Sequence, residues 1–285
     1  MQTIKEIVSP NTSAKTPQHG ASYMESFLII LFVIFFALLA WHRFQLALAW
    51  FFLLLPAYLI RFHIGPLPTT LLETMVWIIL FVWIIKNIKN LFSTFYFLFS
   101  KYLSLSIAIA LFLTAATISV LASTNTRAAL GEWKAFYVEP FLLFLVLISS
   151  LKEKKTADFI LGALVLSGLA TSLLAIYQHF TGWMVPWFFW ANGNSYRVTA
   201  WYGFPNAVGL FLAPLVPLAI YLIREQWKKI QELSRRGTTF NTILQYKILA
   251  VAVLFIPTAL LAILFAKSTG GLIGVAAGIG VLLLL

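Results

Sequence analysis

The 285-residue chain contains no cysteine, which removes disulfide bridges, thiolate metal sites and cysteine nucleophiles together. Charge is scarce too. Asp, Glu, Lys and Arg make up 10 % of the residues, where a soluble globular protein carries about 25 %. Acidic residues are the scarcest, nine against 20 Lys and Arg, which leaves a formal net charge of +11. There is no Walker A phosphate loop, no His-Glu-x-x-His zinc motif, no Gly-x-Ser-x-Gly elbow and no outward Asp-x-Asp pair. ATP, zinc and serine hydrolysis are therefore poorly supported, and neither a metal nor a cofactor is expected.

Apolar residues are abundant instead, at 61 % of the chain with a mean hydropathy of +0.92. Such a chain cannot cover a water-facing surface, so it reads as an all-α, polytopic helical membrane protein. A crossing helix needs about 20 apolar residues. Candidate spans fall at 27–41, 44–60, 68–85, 103–122, 135–150, 159–177, 204–223 and 248–266, with an unfinished one at 270–285. That makes about nine transmembrane helices, eight complete and the last truncated, and a chain ending inside an apolar run reads as a fragment of a longer protein. The runs are continuous rather than alternating, so strands are not expected. Residues 91–100 are apolar but too short to cross and read as interfacial. Residues 1–25 are polar, contain Pro10, Pro17 and Gly20, and read as a disordered tail. Residues 228–245 could form a short amphipathic surface helix.

The basic residues gather in three loops: Lys86 and Lys89; Lys152, Lys154 and Lys155; and Arg224, Lys228, Lys229, Arg235, Arg236 and Lys247. Even numbers of spans separate them, so all three fit the cytoplasmic side under the positive-inside rule, which explains the charge without nucleic acid. Loops 123–134 and 178–203 then face outward, as does the turn at 267–269.

Two carboxylates read as embedded at membrane depth, Glu73 in the third span and Glu139 before Pro140 in the fifth. Each is either functional or simply paired with a nearby cation. The outward stretch Gln178-His179-Phe-Thr-Gly182 through Trp201-Tyr-Gly203-Phe-Pro205-Asn206 is dense in Trp and Tyr. Those rings suit either an aromatic belt at the headgroups or platforms for sugar faces. Arg197 is a fixed-charge donor suited to phosphate, or to lipid headgroups. His179 is a base candidate near neutral pH. Asn206 is a helix cap or a ligand. Lys267-Ser-Thr-Gly270 puts a cation and hydroxyls where a helix begins, and Gly270, Gly274 and Gly278 read as a close-packing face.

With these residues in view, the chain resembles the O-antigen ligase and O-antigen polymerase superfamily of bacterial envelopes. The likeness is carried by Gly168 through Tyr177-Gln178-His-Phe-Thr-Gly182, then Arg197-Val-Thr-Ala-Trp201-Tyr-Gly203-Phe-Pro-Asn206, then Pro214, Pro217, a basic loop and the Lys267-Ser-Thr-Gly turn. It covers about residues 130–285, and residues 26–129 match only in hydropathy. Many members carry Ser-Arg-Gly where this chain has Ser268-Thr269-Gly270, with Lys267 as a substitute cation. The family's large outward loop, with a catalytic His and another Arg, lies beyond residue 285.

The resemblance implies a GT-C-related architecture in the bacterial plasma membrane, with the motif-bearing loops facing outward. It implies a metal-independent, inverting glycosyltransferase. The donor is a glycan on undecaprenyl diphosphate; the acceptor is a lipid A core, another glycan or a protein, among membrane lipids. Arg197, with Lys267 and Arg127, is expected to hold the diphosphate. Gln178, Asn206 and Trp201 are expected to line the substrate site, and Glu139 or a downstream His to act as base. A multi-pass transporter or flippase coupled through Glu73 and Glu139 is the alternative, although no internal repeat is visible. A non-catalytic scaffold is a third.

Overall fold

The computed structural model describes residues 23–65, 67–90, 96, 99–101, 103–151, 153–185, 190, 196–235 and 242–284. The polar tail to residue 22, most of the interfacial segment at 91–100, Lys152, the aromatic run at 187–189 and Arg236 lie outside the described residues.

Helices dominate. In order they are α1 (Tyr23–His42), α2 (Phe44–Leu53), α3 (Leu71–Asn87), α4 (Leu103–Leu121), α5 (Thr126–Trp133), α6 (Glu139–Ser150), α7 (Lys154–Thr181), α8 (Asn206–Leu212), α9 (Leu215–Arg235), α10 (Thr242–Phe265) and α11 (Thr269–Leu284). Among the described residues, six helical stretches are long and apolar enough to cross a membrane: Met24–His42, Leu103–Leu121, Thr126–Ser150, Lys154–Thr181, Asn206–Arg235 and Ile243–Phe265. Large apolar side chains such as Phe27, Leu31, Leu111, Leu210 and Leu254 stand exposed on their outer faces, a surface that lipid solvates and water does not. The protein is a multi-pass membrane protein.

Four expectations need correction. The second span is broken: α2 has only 10 residues, about 15 Å of helix. Pro56 then sits in a 3-10 turn, Leu55–Leu59. The start of the third span is not helical, because β1 (Arg61–Ile64) and β2 (Leu67–Thr70) form an antiparallel hairpin turning at Gly65, φ +60°. Residues 23–25, read from sequence as part of the polar tail, belong to α1, which begins at Tyr23. Finally, 228–245 holds no separate surface helix among the described residues. Residues to Arg235 prolong α9, and those from Thr242 begin α10.

The fifth span is continuous from Thr126 to Ser150, but its middle widens into a π turn, Lys134–Val138. Pro140 has no N–H to return to residue 136 and its ring would press on that carbonyl. The wider turn relieves this, and the Glu139 N–H bonds to the Lys134 carbonyl five residues back.

Two apolar cores hold the helices. One gathers Phe36, Leu48, Met75, Ile79 and Val146 from α1, α2, α3 and α6. The other gathers Val165, Leu212, Leu222, Phe255 and Ile263 from α7 to α10, with Val275 of α11. Helix α7 serves both, Ile160 in the first and Val165 in the second. Helix α6, grouped from sequence with the C-terminal part, packs in the N-terminal core.

The basic loops share one end. Lys86 donates to the carbonyls of Ala40 and Trp41, which brings the C-termini of α1 and α3 together. Trp83 Nε1 donates to Ser149 Oγ at 2.8 Å and adds α6. Lys154 pairs with Glu225, and Lys229 with the buried Asp158, which adds the start of α7 and the end of α9. The hairpin, the π turn and the described residues 196–205 lie at the opposite, aromatic end.

Candidate functional site

The aromatic end is organised by Gln178, fully buried in the last turns of α7. Its Oε1 accepts from the N–H groups of Thr199 (3.1 Å) and Ala200 (2.8 Å). Its Nε2 donates to the carbonyls of Ala200 (3.0 Å) and Met184 (3.2 Å). The Gln178 carbonyl takes the Tyr196 hydroxyl. Both faces of the amide are thus occupied by backbone, and Gln178 positions the loop rather than presenting a free group to a ligand. Gly182, φ +71°, ends α7 in the left-handed region, where glycine carries no steric penalty.

Arg197 emerges from the loop this clamp holds. Its Nε donates to the Ala266 carbonyl at 2.7 Å, and one Nη donates to Asn206 Oδ1 at 2.7 Å and to the Lys267 carbonyl at 3.1 Å. The guanidinium lies 5.3 Å from the centre of the Trp190 ring, within cation–π range. Ala266 and Lys267 close α10, whose last carbonyls lack partners in their own helix and attract cations. The Lys267 backbone is left-handed, φ +49°, and its side chain is exposed. Asn206 is not the cap considered from sequence. It is the first residue of α8, Pro205 holds the cap position without a side-chain bond, and the Asn206 amide oxygen serves Arg197.

Below Asn206 lies a groove of about 770 Å³, walled by α8, the start of α9, and α11. Phe204, Asn206, Ser268, Pro217 and Gly278 are among its lining residues, and Leu210 lines its open, exposed side. Small residues bring the helices close: a Cβ on Gly271 would lie 2.9 Å from the Gly209 Cα, and one on Gly278 2.9 Å from Pro217 Cγ. The packing face is therefore Gly271, Gly274 and Gly278. Gly270, assigned to it from sequence, has open space around it and faces the groove mouth.

Trp201 donates from Nε1 to Thr171 Oγ1 at 3.1 Å and accepts the Tyr58 hydroxyl at its carbonyl, 3.3 Å. Tyr58 also stacks on Tyr202, with ring centres 6.3 Å apart. Burial, reinforced by Tyr58, holds the Tyr202 phenol above its ordinary pKa and keeps it neutral. The 3-10 turn of the N-terminal half thus buttresses the loop of the C-terminal half. His179 lies flat on Phe265, ring centres 3.7 Å apart, and its Nδ1 is buried without a hydrogen-bond partner.

Glu139 is not in this group. It lies with α3, where Lys134 pairs with Glu73 and stands 4.0 Å from Glu139 Oε1. Thr69 Oγ1 donates to Glu73 Oε2 at 3.0 Å. In an α-helix, residues five apart point about 140° away from each other. The π turn rotates Lys134 and Glu139 toward one side, and Pro140 is the sequence feature that points to it. Arg127 is exposed at the start of α5, which packs mainly on α4 and the π turn. The structure therefore joins Arg197, Asn206, Lys267, Gln178 and Trp201 at one place, and sets Glu139 and Arg127 in the other half. Among the described residues no group of three His, Asp or Glu could hold a metal ion. The chain matches no family model, no curated protein and no solved structure.

Proposed function

We propose that the protein is a glycan transferase of the O-antigen ligase or polymerase type, taking its donor from undecaprenyl diphosphate at the outer face of a bacterial plasma membrane. The observation that carries this reading is a cation at the mouth of an apolar groove: Arg197 is bonded to Asn206, which lines about 770 Å³ of groove between α8 and α11. A substrate with an anionic head and a long isoprenoid tail matches that pairing. Arg197, held at the end of α10 by its backbone partners, and the exposed Lys267 amine neutralise the departing diphosphate. The groove receives the first isoprene units. Gln178 and Trp201 hold the loop, and the aromatic rings around them offer faces for sugar. Glu139 lies with Glu73 and Lys134 in the other half, so the reading gives it no part in deprotonating the acceptor.

Transfer from an undecaprenyl-diphosphate glycan by the reconstituted protein tests this. Arg197→Ala should lower turnover by about 100-fold or more, and Lys267→Ala, which keeps its backbone carbonyl, should cost less. Undiminished transfer by Arg197→Ala sinks the assignment. The transporter reading draws on one observation, the buried Glu139 Oε1 without a hydrogen-bond partner. Proton-driven solute uptake by vesicles, with no glycan transfer, would favour it.

A further inference from the structure

A second groove lies at the basic end, between α2, α7 and α10, with a volume of about 230 Å³. Ala49, Gly162 and Ala163 leave the hollow, and Leu46, Leu166 and Leu244 form its rim. Those three leucines are 37 %, 38 % and 43 % exposed, so the rim faces lipid. From residue 159 to 166 along α7 the groove is about 10 Å deep, roughly two-thirds of one leaflet of a 30 Å hydrocarbon core. That depth suits part of one acyl chain and not a tail crossing the bilayer.

Each of the three walls carries a cation beside its apolar stripe. Arg43 is the N-cap of α2, just before Leu46; Lys155 precedes Phe159 by four on α7; and Lys247 lines the groove on α10 between Leu244 and Val251. Residues three and four apart share a helix face, so Lys155 and Lys247 stand on the groove faces of their helices, and Arg43 caps the third wall. All three are exposed. The neighbouring cations are engaged elsewhere, Lys154 with Glu225 and Lys229 with Asp158.

We propose that this groove binds one anionic glycerophospholipid from the leaflet at the basic end, with an acyl chain between α2, α7 and α10 and its phosphate among Arg43, Lys155 and Lys247. Apolar area holds the chain, and the cations select the headgroup, each favouring an anionic lipid by about fivefold. The site is independent of whatever the aromatic end does.

Native mass spectrometry of the purified protein with equal amounts of phosphatidylglycerol and phosphatidylcholine of identical acyl chains tests it. The wild type should retain phosphatidylglycerol over phosphatidylcholine by about fivefold or more. The triple variant Arg43→Gln, Lys155→Gln, Lys247→Gln should retain the two lipids equally. Ala163→Phe, which fills the hollow, should lower retention of both, and Leu46→Trp on the lipid-facing rim does so without touching the helix packing. Equal retention by the wild type overturns the proposal, as does a preference that survives the triple variant. Displacement of phosphatidylglycerol by inorganic phosphate alone would also overturn it, because the acyl chain would then contribute nothing.

Discussion

Replacing Gln178 by Leu would strand the N–H groups of Thr199 and Ala200 and the carbonyls of Met184 and Ala200, all of which now bond to one buried amide. Stranded buried polar groups cost about 1–3 kcal/mol each, and partial rewetting of a loop softens the sum. Denaturant unfolding in detergent should show a loss of about 3 kcal/mol. Gln178→Glu keeps both acceptances but sets a buried carboxylate oxygen against the carbonyls of Met184 and Ala200, so it should cost at least as much. At the other polar cluster the order of effects is diagnostic. Lys134 is 42 % exposed, while Glu73 and Glu139 show 14 % and 8 % of their side chains. Lys134→Met leaves two confined carboxylates facing each other and should cost about 1–2 kcal/mol, the pair being half-screened by solvent. Adding Glu139→Gln to that variant removes the repulsion, and thermal melts should recover most of the loss.

At the scale of helices, the contact of α8 with α11 depends on absent side chains. A Cβ on Gly209 would sit 2.3 Å from Ser268 Oγ and 3.2 Å from the Gly271 Cα, and the backbone cannot yield. Gly209→Ala should therefore destabilise by about 1–3 kcal/mol through overpacking. Gly270→Leu meets open space and should leave the melting temperature unchanged while raising the KM for a lipid-linked donor. If both variants behave alike, the division between packing and groove faces is wrong. Legibility in the sequence divides along similar lines. The spans at 103–122, 159–177 and 248–266 were readable because each is one continuous apolar run, and α4, α7 and α10 match them to within a few residues at most ends. Pro56 and the Arg61–Thr70 hairpin were not, since local hydropathy there says apolar without saying whether the chain is helical. Gln178, Arg197 and Asn206 were visible as polar residues in an apolar context. Their partners were invisible, because Ala266 and Lys267 contribute backbone carbonyls, which every residue has. Glu73 and Glu139 were each recognisable, but their meeting through Lys134 needed a π turn and a packing of α3 on α6.

For the whole molecule, sidedness follows from which ends the helices share. The basic clusters lie at one end and the Gln178 to Asn206 loop at the other, so one experiment orients everything. The absence of native cysteine makes single-cysteine labelling direct. Trp183 and Lys228 are both exposed and lie at opposite ends. In intact cells an impermeant maleimide should modify Trp183→Cys and spare Lys228→Cys until the membrane is opened. The reverse pattern would put Arg197 in the cytosol and remove any outer-face substrate from consideration.

The strap that Arg197 throws to Ala266 and Lys267 spans 69 and 70 positions of sequence. A ribosome feeding this protein into the bilayer from its N-terminus delivers the guanidinium well before the two oxygens that will receive it. Until α10 has been threaded and its end turned, that arginine has only its local partners Asn206 and Trp190, with water or lipid phosphate in place of the two carbonyls. Maturation of the aromatic end is thus a late event in biogenesis. Nascent chains arrested before residue 265 should be cleaved by protease at residues 196–205, and chains released after residue 284 should be protected there.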